Sequence, residues 1–176
     1  LHLWFRVSGD ARLIRAGSYE IERGTTARSL LRKLVRGEES LRSLTLVEGW
    51  TFRQLRAALA TAPQLRAETE GLSDEAIMER LGRMGQHPEG RFFPDTYSYA
   101  KGSSDLKLLA LAMRTMDRHL QAAWEHRAPD TPLASPEQAL ILASIIEKET
   151  GTDADRAMVA GVFINRLRLG MMLQTD

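Results

Sequence analysis

Two carboxylates at the end of an apolar segment are the residues of this sequence whose setting first suggests chemistry. They are Glu147 and Glu149, in the stretch SPEQALILASIIEKETG from Ser135 to Gly151. Glu147 falls four residues after Ala143 and seven after Leu140, so it continues an apolar line of a helix. Glu149 falls four after Ile145 and seven after Leu142, so periodicity does not choose between the two. A carboxyl at the mouth of a buried helix loses hydration, which favours its protonated form. A protonated carboxyl near neutral pH is what general acid catalysis requires. The competing reading is a solvated helix end that pairs with Lys148 or with the next segment, since carboxylates in such places are only statistical markers of function.

The element that must hold these groups is legible at both ends. Ser135 can cap a helix, Pro136 suits its first position, and Gln138 completes a capping box. Gly151 reads as a left-handed stop. Ala139 to Ile146 is apolar on every face except at Ser144, which predicts a helix inside a core.

A chain of 176 residues holds one ordinary domain, or a core with a small appended module. The hydrophobic fraction of 43% is globular. A net charge of +1 argues against a strongly electrostatic partner such as nucleic acid. Arg12 to Arg42 is rich in arginine and Glu68 to Glu79 is acidic, which reads as solvated faces. With no cysteine there is neither a disulfide framework nor thiol chemistry, a composition that suits an oxidising envelope compartment. No run of about 18 apolar residues is present, and no signal peptide is visible. Leu1 starts within a strand pattern and Asp176 follows a helix-ending glycine, so both ends read as cut.

The rest of the chain divides in order. Leu1 to Val7 alternates as a half-buried strand, and Arg12 to Ile21 reads as a second, less regular one. Thr25 or Thr26 caps a helix carrying Leu30, Leu31, Leu34 and Val35, stopped by Gly37. Leu41 to Val47 reads as a strand. Thr51 and Gln54 form a capping box for a helix that ends near Pro63. Ser73 caps another, with Ile77, Leu81 and Met84 on one side. Gln86 to Ala100 is non-helical and rich in aromatics, able to pack under the core or to line a groove for sugar rings. Ser103 or Ser104 caps a long helix to about His126, with Leu106, Leu109, Met113, Met116, Leu120 and Trp124 along one side. Thr152 or Asp153 caps a last helix to about Leu169, with Val159, Val162, Phe163 and Leu167 as its apolar side. Asn165 places an amide near that side, and a buried amide needs a hydrogen-bond partner. The four histidines show no metal-ligand spacing, and no nucleophile elbow, phosphate loop or dinucleotide fingerprint occurs.

Three segments together resemble the endolytic murein transglycosylases of the MltG (YceG-like) family. The first is Glu48-Gly49-Trp50-Thr51, followed by Arg53-Gln54-Leu55. The second is Glu89-Gly90-Arg91-Phe92-Phe93-Pro94-Asp95-Thr96-Tyr97. The third runs from Ala143 through Glu147-Lys148-Glu149-Thr150 and Val159 to Leu167, ending in Met172-Leu173-Gln174-Thr175-Asp176. The resemblance implies an α+β fold: a LysM-like strand and helix module over residues 1–47, incomplete at its start, then a mainly helical catalytic domain over residues 48–176, incomplete at its end. It implies cleavage of peptidoglycan glycan strands with 1,6-anhydro-N-acetylmuramic acid ends and no cofactor. The family's catalytic glutamate is the first of its Glu-Lys-Glu-Thr motif, here Glu147, which breaks the tie with Glu149. Phe93, Asp95, Tyr97, Asn165, Gln174, Thr175 and Asp176 are the motif positions with chemistry suited to holding the sugar. The resemblance also implies an N-terminal membrane helix, absent from this chain, a catalytic domain on the outer face of the cytoplasmic membrane, and cell-wall synthases as partners.

Arg91 departs from the family pattern, which has a Trp or another apolar residue there. The implied mechanism needs one acid. Protonated Glu147 gives its proton to the glycosidic oxygen, then as carboxylate takes the proton of the C6 hydroxyl that attacks C1. Ordinary glycosidases need two carboxylates at a set separation. Two other functions compete: a peptidoglycan-binding module without cleavage, and a hydrolase using Glu149 or Asp176 as a second carboxylate.

Overall fold

The computed structural model describes residues 13–17, 19, 21, 23–37 and 40–173. The strand expected over Leu1–Val7 lies outside the described residues, as do Gln174, Thr175 and Asp176. The described residues of the second expected strand, 13–17, 19 and 21, are not in a strand. They lie largely in solvent, and the Arg15 amide donates to the Leu34 carbonyl of the following helix and not to a strand.

Helix α1, Ala27–Arg36, starts where the Thr26 side chain accepts from the Ser29 amide. It stops at Gly37, whose φ of 68° only glycine adopts without cost. Strand β1, Leu41–Thr45, follows. Its partner is β2, Thr96–Ala100, in an antiparallel pair that sets Leu41 opposite Ala100 and Thr45 opposite Thr96. The sheet therefore joins strands from both sides of position 47. β2 lies at the end of the stretch 86–100 expected to be non-helical, and its strand form is not part of that expectation. Its signal was the alternation of Tyr97 and Tyr99, both buried, with exposed Thr96 and Ser98.

Helix α2, Phe52–Thr61, carries the complete capping box of Thr51 and Gln54, and buries Phe52, Leu55 and Leu59. Helix α3, Asp74–Arg80, is capped by Ser73 and buries Ile77 and Met78. Helix α4, Asp105–Glu125, is capped by Ser104. Its buried band runs through Leu108, Leu109, Ala112, Met113 and Thr115, rotated from the expected line. Met116, Leu120 and Trp124 are only part-buried, because the helix outruns a core whose α4 members end at Met113. These elements close one large core around Leu46, Phe52, Ile77, Met78, Tyr97 and Leu109.

Asp105 organises the chain between α2 and α4. It is buried at the first position of α4, where a carboxylate complements the helix N-terminus. It accepts from the amides of Glu68 (3.0 Å), Thr69 (3.1 Å) and Leu106 (2.6 Å), and from the Thr69 hydroxyl (2.5 Å). Beside it the Ser104 hydroxyl donates to Glu68 and lowers that carboxyl's pKa. Partial desolvation opposes the shift, and the Arg66 guanidinium reinforces it. A depressed folded pKa stabilises the fold above the unfolded pKa of about 4.3 and loses that contribution as pH falls through the folded value. Glu68→Gln is therefore expected to flatten the acid limb of stability below about pH 5, read by thermal unfolding across pH. An unchanged acid limb would refute this.

The last two helices form a separate, smaller unit of packing. Helix α5, Pro136–Glu149, and helix α6, Asp153–Arg168, lie side by side, and α5 also packs on α4. Their core holds Leu142, Ile146 and Phe163, with Leu133, Val159 and Leu167 partly buried around it. Ser135 and Pro136 start α5 as expected. Its end and its burial differ from expectation. Thr150, in extended conformation, ends the helix by donating both its amide and its hydroxyl to the Ile146 carbonyl, so Gly151 is not a left-handed stop. The helix is also not enclosed. Leu142 and Ile146 are buried, while Ile141 is 54% exposed and Ala143 faces solvent. Among the described residues α4 and α6 are the helices that pack most closely on it, and they do not cover every face. In α6, Val162 is half exposed and Asn165 is exposed. The packed side passes through Val159, Ala160, Phe163, Ile164 and Leu167. Asn165 stands two residues past Phe163, roughly 200° around the helix. Among the described residues no helix is long and apolar enough to cross a membrane.

Candidate active site

Glu147 sits in the last turn of α5, on the face that α4 and α6 leave open. Its side chain is 44% exposed. The expectation of a dehydrated carboxyl is therefore not met, because the apolar line through Leu140 and Ala143 is not the face that packs. The cation beside it is Arg156, on α6, whose guanidinium donates to Oε2 at 3.2 Å. The tight turn through residues 150–152 brings this residue back along α5. Nine residues of separation across that turn carry no periodic signal, so the sequence did not point to Arg156.

A second neighbour comes from the first motif. Leu46 ends the strand region, and a turn closed by the Trp50 amide on the Val47 carbonyl carries Gly49 at φ 74°. A Cβ placed at Gly49 would lie 4.0 Å from Oε1 of Glu147. The turn thus lies beside the carboxylate, and the missing side chain leaves that flank open.

The second motif is fastened to the first. Oε2 of Glu89 accepts from the Phe52 amide at 2.9 Å, so an anion caps the N-terminus of α2. The Phe52 and Phe92 rings stack at 5.2 Å. Arg91 then pairs with Glu137 in the first turn of α5. The order of connection is first motif, second motif, α5 and Glu147.

The proposed sugar-contact residues fall in different places. Phe93 is half-buried and stacks on the exposed His119 ring at 4.0 Å, with planes 5° apart. Its amide donates to Ala112 in α4. Tyr97 is in the large core, and its hydroxyl donates to the Phe93 carbonyl at 2.7 Å. Burial raises its pKa and the charge of Asp95 adds to the shift, so it stays a neutral donor. Asp95 is exposed. Its backbone carbonyl takes the Leu46 amide, and its side chain takes the Thr96 amide. These contacts join Phe93, Asp95 and Tyr97 to one another and to α4, while those of Glu147 run to Arg156 and Gly49. Asn165 points to solvent, away from the α5 contact. Gln174, Thr175 and Asp176 lie outside the described residues. Among the described residues no group of three His, Asp or Glu could hold a metal ion.

Residues 1–176 match the YceG-like family. The chain belongs to that family. It is 27% identical over 194 residues to an endolytic murein transglycosylase of Streptococcus pneumoniae serotype 2 (strain D39 / NCTC 7466), covering 93% of this chain and 34% of the relative. It is 28% identical over 179 residues to an endolytic murein transglycosylase of Bacillus subtilis (strain 168), covering 92% of this chain and 49% of the relative. The chain thus spans between a third and a half of the length of these curated relatives. A 2.6 Å crystal structure of a YceG-like protein of Listeria monocytogenes shares the fold, with a TM-score of 0.54 and 24% identity, over 99% of this chain and 62% of that one. The expected membership and the mixed α+β class therefore both hold. Glu89 ties the second segment to the start of α2, Gly49 brings the first beside Glu147 of the third, and Arg91 ties the second to Glu137 at the start of α5; their residue types alone carry no signal of these meetings.

Proposed function

We propose that this chain carries the catalytic part of a lytic transglycosylase that cuts peptidoglycan glycan strands and leaves 1,6-anhydro-N-acetylmuramic acid ends, with Glu147 as acid and base. The observation that carries the reading is the open carboxylate of Glu147, flanked by the Gly49 turn and by Arg156. The names of the curated relatives point the same way. In the first step protonated Glu147 gives its proton to the glycosidic oxygen as the bond from that oxygen to C1 breaks, so the departing sugar leaves with a hydroxyl and C1 becomes oxocarbenium-like. In the second step the Glu147 carboxylate takes the proton of the C6 hydroxyl as that oxygen bonds to C1. Arg156 complements the carboxylate form that this second step needs, since a guanidinium keeps its charge. The sugar itself supplies the nucleophile, so no second carboxylate is required. Phe93, Asp95, Tyr97, Asn165, Gln174, Thr175 and Asp176 keep their proposed role in holding the glycan.

The remaining expectations join this proposal. Residues 1–47 form a LysM-like module whose last strand, β1, pairs with β2 of the catalytic part, residues 48–176. The parent protein is held by an N-terminal membrane helix at the outer face of the cytoplasmic membrane, where cell-wall synthases are its partners. Mass spectrometry of purified peptidoglycan digested with the full natural polypeptide tests the activity. Anhydro-ended muropeptides are expected. Reducing ends would instead mean hydrolysis, and glycan retention without products would mean a binding module.

The open flank at Gly49 gives a second test. Gly49 and Gly71 both have φ above 70°, but a Cβ at Gly71 meets nothing within 4 Å. Alanine at either position is expected to cost about 1–2 kcal/mol of stability through the left-handed backbone. Only Gly49→Ala is expected to lower turnover per folded molecule, about tenfold, a barrier change of about 1.4 kcal/mol. Equal turnover in the two variants would remove the flank from the site.

A further inference from the structure

Arg91 stands in the middle of the second motif, and its surroundings give it a task. Its side chain is only 15% exposed, although it is an arginine in a loop. One guanidinium nitrogen donates to Oε2 of Glu137 at 3.0 Å, and the other engages Oε1. That is the two-point match of a planar fork to a carboxylate, which fixes orientation as well as distance. Burial lowers the Arg91 pKa, the Asp117 carboxylate opposes the shift, and Arg83 adds to it. Arg83 is itself paired with Asp117 on α4. The loop, α4 and the start of α5 thus meet in four alternating charges.

What depends on this pair is the placing of α5. The helix gives its buried residues, Leu142 and Ile146, to the small core and none to the large one. Its seating on the rest of the protein comes from α4 alongside and Arg91 at its start, with the Gly49 turn lying beside its end. Glu137 and Glu147 are ten residues apart on one stiff rod, a span of roughly 15 Å. A tilt of about 4° at the Glu137 end moves Glu147 by about 1 Å, and a misplacement of that size can cost on the order of a hundredfold in rate.

We propose that Arg91 is a positioning residue: its two-point pair with Glu137 clamps α5 to the second motif and so sets where Glu147 stands against the Gly49 turn. The inference rests on the reading of Glu147 as the acid. It is tested in the full natural polypeptide with Arg91→Ala, Glu137→Ala, the double variant, Arg91→Lys and Glu147→Gln. Turnover of uncrosslinked glycan strands is measured per folded molecule, with kcat and KM separated. Each alanine variant is expected to lose about tenfold or more in kcat with KM within about twofold. The double variant is expected to lose no more than either single one, because one clamp can be broken only once. Arg91→Lys keeps the charge without the fork and is expected to fall between wild type and Arg91→Ala.

Wild-type kcat in folded Arg91→Ala would overturn the clamp, as would losses that multiply in the double variant or a change confined to KM. Glu147→Gln separates the two levels of the argument. If it keeps full activity, the assignment of the acid fails. If it is inactive while Arg91→Ala turns over normally, the clamp alone fails.

Discussion

Glu147→Gln is expected to abolish the release of anhydro-ended muropeptides while the protein stays folded. The amide cannot give a proton to the leaving oxygen or take one from the C6 hydroxyl. Loss of acid-base assistance alone removes about 10²–10⁴-fold in rate, and here one group serves both steps. The cost in stability is expected to be small. Glu147 is 44% exposed and its pair with Arg156 is equally open, and such pairs are worth about 0–1 kcal/mol. Glu149→Gln, on the same exposed helix end, is expected to keep its activity. Mass spectrometry of the digest and thermal unfolding of the same samples read both effects. More than a tenth of wild-type product from Glu147→Gln would sink the assignment. Loss from Glu149→Gln as well would favour a two-carboxylate hydrolase.

Asp105→Ala is expected to be the most damaging single change to the fold among the polar residues described. The wild-type carboxylate holds three amides and one hydroxyl in a buried place. Alanine leaves those donors without their acceptor and without room for bulk water. Each donor to a charged acceptor contributes about 1.5–3 kcal/mol. The losses overlap, so a total of about 3–5 kcal/mol is expected. Asp105→Asn keeps one acceptor oxygen and turns an amide donor towards other donors, so it is expected to lie between alanine and wild type. Chemical denaturation measures both. A shift below about 1 kcal/mol for Asp105→Ala would show that water replaces the carboxylate, which its burial argues against.

Much of the local structure was legible in the sequence because it is local in origin. Ser73, Ser135 and the Thr51–Gln54 box start their helices where the residue types require, since a cap satisfies amides within one turn. Gly37 ends α1 for the same kind of reason. Elements whose stability comes from distant partners were less legible. β2 exists because β1, more than fifty residues earlier, offers a ladder to it. The buried side of α4 was set by what packs on it, so the band turned towards Leu108 and Ala112.

By itself the sequence determined the chemistry available. It carries the Glu-Lys-Glu-Thr segment at the end of a capped helix and the two other segments that mark the YceG-like family, because these are fixed by residue type and order. Only the tertiary structure decided the setting of that chemistry. It left Glu147 open to solvent, placed Arg156 and Gly49 beside it, and turned Asn165 outward. It also gave Arg91 a partner forty-six residues away in Glu137. Which face of an apolar helix is covered depends on how many other elements reach it, and that number is a property of the assembled chain, not of the helix.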